Sequence, residues 1–139
     1  MADVTIPAGK PTPAVGTVTR VYTAGQSITS GDVVYVDSTD AGRVAKADAD
    51  AEASARAVGI AVTTSAANQP CVVATSGRLV YSGASPFVQG LSYWVSTTSG
   101  AMAPEADLAS GDYKTMLGVA TATAVFQLKI DASGATETA

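Results

Sequence analysis

Apolar side chains occur in short runs along the chain, and turn residues separate the runs. Nine runs rich in Val and Thr are candidate strands: residues 17–23, 33–37, 43–46, 58–63, 71–75, 78–82, 93–96, 115–121 and 125–130. Alternation of apolar and polar residues is clearest in 17–21 and 126–130, which predicts strands with one covered face. Many short strands with closely spaced turns predict an all-β, mainly antiparallel fold, either a small barrel or a sandwich.

Four segments depart from this strand pattern. Residues 50–57 and 105–110 combine helix-forming side chains with acidic residues near their starts, so one or two short helical turns are expected. Residues 1–16 carry three prolines and predict an extended N-terminal arm, which either orders against a neighbouring subunit or frays. Residues 131–139 are small and polar and predict a flexible C-terminal tail. The β domain is therefore expected to span residues 17–130.

An internal repeat relates the two halves of this β domain. At an offset of 59, residues 21–62 align with residues 80–121 without a gap, with nine identities in 42 positions. The alignment places candidate strands on candidate strands and the two helical segments on each other. The identities include Val21-Tyr22 with Val80-Tyr81 and Gly59 with Gly118. The sequence therefore predicts two similar β units that bury their apolar faces against each other.

Composition narrows the chemistry that the chain can perform. The sequence has 17 Val and 17 Thr, a net charge of −4, one cysteine and no histidine. Without histidine, Ser-His and Cys-His nucleophilic pairs and ordinary zinc sites are excluded. An acidic chain with eight scattered Lys and Arg residues offers no basic stripe, so nucleic acid is not an expected partner.

No cofactor, metal or catalytic residue is expected from the motifs. Asp48 begins a run like a calcium loop, but the sixth and twelfth positions are Ala53 and Gly59 instead of Gly and Glu. Cys71 precedes two valines in a candidate strand and is expected to be a buried, small apolar residue. A signal peptide and an apolar run long enough to cross a membrane are both missing, so a soluble protein made in the cytoplasm is expected.

The two neighbouring aromatic residues Tyr93 and Trp94 are candidate contact residues. Alternation along a strand sends their rings to opposite faces, so one ring is expected in the core and the other at the surface or against a partner. A sugar-stacking platform is the alternative use of these rings. Further contact residues are expected in the N-terminal arm, namely Val4, Ile6, Pro7, Pro11 and Pro13.

Several sequence blocks resemble the capsid cement, or head decoration, proteins of tailed bacteriophages. The blocks are residues 24–35 (AGQSITSGDVVY), 42–47 (GRVAKA), 57–61 (AVGIA), 71–80 (CVVATSGRLV) and 90–95 (GLSYWV), in the order that the family has them. The resemblance covers roughly residues 15–130. It implies a small β-rich protein that binds the outer surface of an assembled capsid and braces the major capsid protein. No catalytic residue is implied.

The expected function is therefore that of a non-enzymatic virion protein on the outer capsid surface, with the major capsid protein as its partner. A homo-oligomer is expected, with a trimer as the favoured state. The alternative is a tail-fibre or surface-adhesion module that binds glycan through Trp94 and a neighbouring Tyr.

Overall fold

A computed structural model describes residues 11–13, 16–37, 39, 41–49, 55–81, 87–96, 100–104 and 115–131. Ten strands lie within these residues: β1 (Pro11–Pro13), β2 (Val18–Thr23), β3 (Val33–Asp37), β4 (Arg43–Lys46), β5 (Ala57–Ala61), β6 (Pro70–Tyr81), β7 (Ser92–Val95), β8 (Met102–Pro104), β9 (Met116–Ala122) and β10 (Val125–Asp131). All strand pairings are antiparallel, and the sheet curls into a half-barrel. The predicted all-β, antiparallel fold is thus confirmed.

The strands differ from the predicted set in three places. The candidate strands 71–75 and 78–82 are parts of one twelve-residue strand, β6, because Ser76-Gly77 continues the strand instead of forming a turn. The short strands β1 and β8 were not predicted. Of the predicted arm, residues 11–13 form β1, while residues 1–10 and 14–15 lie outside the described residues. The predicted helical residues 50–54 and 105–110 and the predicted tail after Asp131 also lie outside them.

The long strand β6 is the centre of the sheet. Near its start it pairs with β2 and β5, and near its end with β1 and β10. Val73 has a partner in both β2 and β5, and Ser76 has a partner in both β2 and β10, so β5 and β10 share one edge of β6. β1 and β2 share the other edge. Two series of hydrogen-bonded strands begin at the edge of β6 that β5 and β10 share. One series is β5, β3 and β4, and the other is β10, β9, β7 and β8.

The strands form two units of the same topology. The first unit contains β2, residues 70–76 of β6, β5, β3 and β4, and the second contains residues 77–81 of β6, β10, β9, β7 and β8. The β7–β9 pairs are the β3–β5 pairs moved by 59 residues: Val33↔Ile60, Val34↔Gly59 and Tyr35↔Ala57 become Ser92↔Val119, Tyr93↔Gly118 and Trp94↔Met116. The register shift falls at the same step in both units. The units therefore share register as well as strand order.

One departure from the constant offset is a shorter hairpin in the second unit. The β5–β6 pair Ala61↔Val73 corresponds to the β9–β10 pair Phe126↔Ala120, so the offset falls from 59 to 53 across this connection. Eight residues, 62–69, connect β5 to β6, whereas two residues, 123–124, connect β9 to β10. The six-residue difference accounts for the change of offset.

Two equivalent glycines allow close approach of neighbouring strands. A Cβ atom on Gly59 would overlap the carbonyl oxygen of Ala74, and a Cβ atom on Gly118 would overlap that of Gln127. Ala74 and Gln127 are themselves equivalent at the offset of 53. Both units thus need a residue without a side chain at the same step of the ladder.

The main core lies between the two units. The first unit contributes one face of its sheet, including Val33, Ile60 and Ala74, and these side chains cover the interior of the second unit. The neighbours of these residues along the strands are Val34 in β3, Ala61 in β5 and Val73 in β6. Their side chains point to the other face of the first unit, where they form a second core cluster. Residues 33–34 of β3, 60–61 of β5 and 73–74 of β6 are therefore buried on both faces of the sheet, which explains the continuous apolar runs at these positions.

Aromatic rings fill the interior of the second unit. Phe87 packs edge-to-face on Tyr81 and Tyr93, at centroid distances of 4.9 and 5.2 Å, and stacks on Phe126 at 5.2 Å. Such pairs contribute roughly 0.5–1.5 kcal/mol each beyond the area they bury. Phe126 and Leu128 are buried while Gln127 and Lys129 are exposed, so the predicted alternation in β10 is confirmed.

The close approaches at Gly59 and Gly118 generate a stability prediction. Gly59→Ala and Gly118→Ala are each expected to lower the free energy of unfolding by about 3 kcal/mol, because the added methyl group must displace a backbone carbonyl in a paired strand. Gly42→Ala is the matched control, since this exposed glycine has a φ of 74° and open space around it. It is expected to cost only about 1 kcal/mol. Equal losses in urea titrations of the three variants would contradict the prediction.

Candidate assembly surface

Strand β2 is an edge strand with exposed apolar side chains. It pairs with β6 along one side, and no other strand of the described part of the chain pairs along its opposite side; only Ala24, just past its end, makes a bridge to Val44 of β4. Val18 is 51% exposed and Val21 is 68% exposed. The predicted covered face for residues 17–21 is therefore wrong: β2 lies at the rim of the sheet, and both valines are more than half exposed.

A groove opens where β5 and β10 diverge from β6, and β2 forms one of its walls. Its volume is about 600 Å³. The lining is apolar and hydroxylic with two cations, and consists of Val18, Arg20, Tyr22, Ala57, Val58, Thr75, Ser76, Lys129 and Ile130. No salt bridge to Arg20 or Lys129 occurs among the described residues. In a chain of net charge −4, this groove is thus a local site of positive charge.

The groove occupies the place that the second unit fills with its core. Three groove residues of the first unit correspond to three buried leucines of the second: Arg20 to Leu79, Val58 to Leu117, and Thr75 to Leu128. Each replacement removes apolar volume or adds a polar group. The first unit therefore carries an open, partly charged cleft at a position where its counterpart is solid.

An ionisable pair of the first unit, Lys46 and Asp32, lies away from this groove, next to the β7–β8 connection of the second unit. The Lys46 Nζ atom is 3.9 Å from Asp32 Oδ2, and the same carboxylate oxygen accepts a hydrogen bond of 2.9 Å from the Thr29 backbone N–H. Gly100, on the β7–β8 connection, donates its N–H to the Ala47 carbonyl and accepts from the Val33 N–H. A Cβ on Gly100 would come within 3.1 Å of the Asp32 carboxylate. The pair therefore marks a tight contact between the units.

Burial dominates the electrostatics of Asp32. Desolvation raises the pKa of its carboxyl above the ordinary value, although the Thr29 hydrogen bond and the Lys46 charge act in the opposite direction. Asp37 differs: the side-chain and backbone hydrogen bonds that Thr39 donates to it lower its pKa. Neither residue lies in the groove.

The remaining candidate groups for chemistry are buried. Cys71 lies in the second core cluster, as predicted, and burial raises the pKa of its thiol. Tyr81 is fully buried with no hydrogen-bond partner for its hydroxyl, and desolvation raises its pKa. Among the described residues, His, Cys, Asp and Glu nowhere form a group of three or more that could hold a metal ion. Within the described part of the chain, the groove is therefore the candidate site for binding.

The predicted contact residues fall in different places. Tyr93 is only 2% exposed and belongs to the aromatic core, so its side chain is not available to a partner. Trp94 is half-buried, which agrees with the expected alternation of the two rings. Pro11 and Pro13 lie in β1 and pair with Tyr81 and Leu79 of the same chain. Val4, Ile6 and Pro7 lie outside the described residues.

The surface residues that the motifs did not single out are Arg20, Val21 and Lys129. Their sequence signal is weak because an arginine in an alternating strand reads as an ordinary solvent-facing residue. The offset of 59 offered one clue, since it places Arg20 against Leu79 just before the repeat begins. A charge at a position where the other unit has a leucine indicates that the two units differ there in burial.

No protein-family model matches this chain, and no curated protein matches it. Within the described residues, no helix is long and apolar enough to cross a membrane.

The raised pKa of Asp32 generates a prediction about pH. Because the folded state binds the proton at higher pH than the unfolded chain does, stability rises as pH falls through the folded-state pKa. Unfolding free energies of the wild type and Asp32→Asn are to be compared between pH 7 and pH 4. The wild type is expected to gain stability relative to the variant on acidification, and a relative loss would contradict the prediction. The amide oxygen of Asn can still accept the Thr29 hydrogen bond, so the comparison isolates the charge.

Proposed function

We propose that this protein is a non-enzymatic virion protein that binds the outer surface of a phage capsid and stabilises it. The observation that carries the proposal is the edge of β2, where the exposed Val18 lines a groove with two cations and the exposed Val21 lies on the other face of the strand. This surface suits an assembly contact, because exposed strand edges and apolar patches on a small domain are where other chains pair.

The family resemblance supplies the partner in this proposal. Blocks across residues 15–130 are similar to those of capsid cement proteins, which implies contact with the major capsid protein. A protein with this role works by being held in many copies on a surface, so binding contacts carry its function.

The alternative, a glycan-binding adhesion module, has less support from the geometry. A sugar platform built on the Tyr93-Trp94 pair would need both rings at the surface, and the Tyr93 ring is buried against Phe87. Trp94 would have to act alone. No described residue otherwise favours this function.

A capsid-heating experiment tests the proposal. Capsids of the encoding phage, prepared without this protein, are mixed with the purified chain and heated. The disruption temperature of the capsid is expected to rise, as followed by light scattering or release of packaged DNA. Unchanged disruption together with no protein on pelleted capsids would overturn the proposal.

A pair of arginine variants extends the same experiment to the surface. Arg20→Asp is expected to reduce the rise in disruption temperature, because it reverses a groove charge. Arg78→Asp, which changes another exposed arginine outside the groove, is expected to leave the rise intact. Equal effects of the two variants would show that the β2 edge is not the assembly surface.

A further inference from the structure

We infer that residues 2–6 of a second copy of this chain add to the free edge of β2 as an extra strand. The inference rests on the proposed function in taking β2 as an assembly surface. Its test uses no capsid, so the two proposals can fail separately. It names the occupant of the edge, a segment of the chain that lies outside the described residues.

The backbone of β2 is a template for such a strand. All six residues of β2 pair with β6, and along the other side no strand of the described ranges takes up their N–H and C=O groups. An extended segment adds to an exposed edge by main-chain hydrogen bonds, and its alternate side chains then determine specificity. β2 contains no proline that would block this pairing.

The two faces of β2 present different chemistry to an incoming strand. Arg20 and Tyr22 line the groove, where Lys129 adds a second positive charge. Val21 lies on the opposite face beside its cross-strand partner Val72, which is half-buried. An occupant that fits both faces therefore needs a carboxylate on one side and a branched apolar side chain on the other.

Residues 2–6, Ala-Asp-Val-Thr-Ile, have this alternation. In an extended strand, Asp3 and Thr5 share one face while Val4 and Ile6 share the other. A register that places Asp3 beside Arg20 places Val4 on the face of Val21, whether the strands run parallel or antiparallel. Pro7 follows directly and ends the pairing.

The direction of β1 leads away from β2 on the same chain. Pro11, the first residue of β1, pairs with Tyr81 at the end of β6, whereas Arg20 pairs with Val73 near its start. Both β1 and β2 run antiparallel to β6, so β1 followed back toward the N-terminus leads away from β2, and residues 2–6 would have to reverse direction to reach the Arg20 of their own copy. Asp3 is therefore assigned to the Arg20 of another copy, whose approach needs no such reversal.

Each copy then offers one arm and one edge. Such a contact joins unlike surfaces, so it is heterologous and closes into a ring when the rotation between copies permits. A ring of this kind is compatible with the homo-oligomer expected from the sequence.

Charge reversal tests the pairing in the full chain by sedimentation over a concentration series. The wild type is expected to associate. Asp3→Arg and Arg20→Asp are each expected to weaken association by about fivefold, the upper range for one exposed ion pair. An equimolar mixture of the two variants is expected to associate more tightly than either variant alone, because every contact between unlike copies pairs opposite charges, whereas each variant alone has only like charges at its contacts. The double variant Asp3→Arg/Arg20→Asp is expected to recover most of the wild-type association.

Two controls separate this contact from general effects. Arg78→Asp changes charge outside the groove and is expected to leave association unchanged, and deletion of residues 2–6 is expected to give monomers with the circular dichroism of the wild type. The inference is overturned if the wild type is monomeric throughout the series, if the deletion variant associates as tightly as the wild type, or if the mixture of reversed variants is no tighter than either alone.

Discussion

Pairing of β6 on both edges is the constraint on which the rest of the structure depends. Residues near its start hold β2 and β5, and residues near its end hold β1 and β10. Gly77 lies between these parts with a φ of 106°, and a Cβ there would come within 2.8 Å of Thr17 Cα. Because β5 and β10 leave from the same edge, the two units can face each other only if β6 changes direction between them. A residue without a side chain at position 77 permits both that bend and the close passage of the chain before β2.

The two units share their strand order and register but solve the packing problem differently. Tyr93, Ala120 and Phe126 of the second unit correspond to Val34, Ala61 and Val73 of the first. The larger rings of the second unit need a cover, and one face of the first unit supplies it. The smaller valines of the first unit pack into the second core cluster, which does not fill the interior of this unit. The unfilled end of that interior is the groove. The asymmetry in side-chain volume therefore leaves the groove at the open end of the first unit, where β10 of the second unit adds Lys129 and Ile130 to its lining.

Most of the repeated strands could be predicted from the sequence, because the turn residues and apolar runs that define them lie close together along the chain. Residues 33–37 and 43–46 were predicted with the bounds that the structure has, since turn residues flank both runs and residues 33–37 are rich in Val. β6 was divided in two because Ser76-Gly77 has the composition of a turn, and only pairing with four strands makes it continuous. β8 was missed because Met102–Pro104 is too short and mixed for a periodic signal. The exposed face of β2 could not be predicted either, because alternation reports which face suits a core and not whether a core is there.

An exposed strand edge is a hazard for a soluble domain, and β2 carries features that limit unspecific pairing. A register shift between Val18 and Thr19 breaks the ladder near the start of the strand, and Arg20 places a charge at the second position after it. Bulges and charged side chains discourage the addition of arbitrary apolar strands. The same features favour a strand that brings a carboxylate to Arg20, because leaving that charge unpaired under a bound strand would cost desolvation free energy. The edge is therefore better suited to one particular partner than to aggregation, and in the proposed pairing selectivity arises from Arg20, which stands where the second unit has the core residue Leu79.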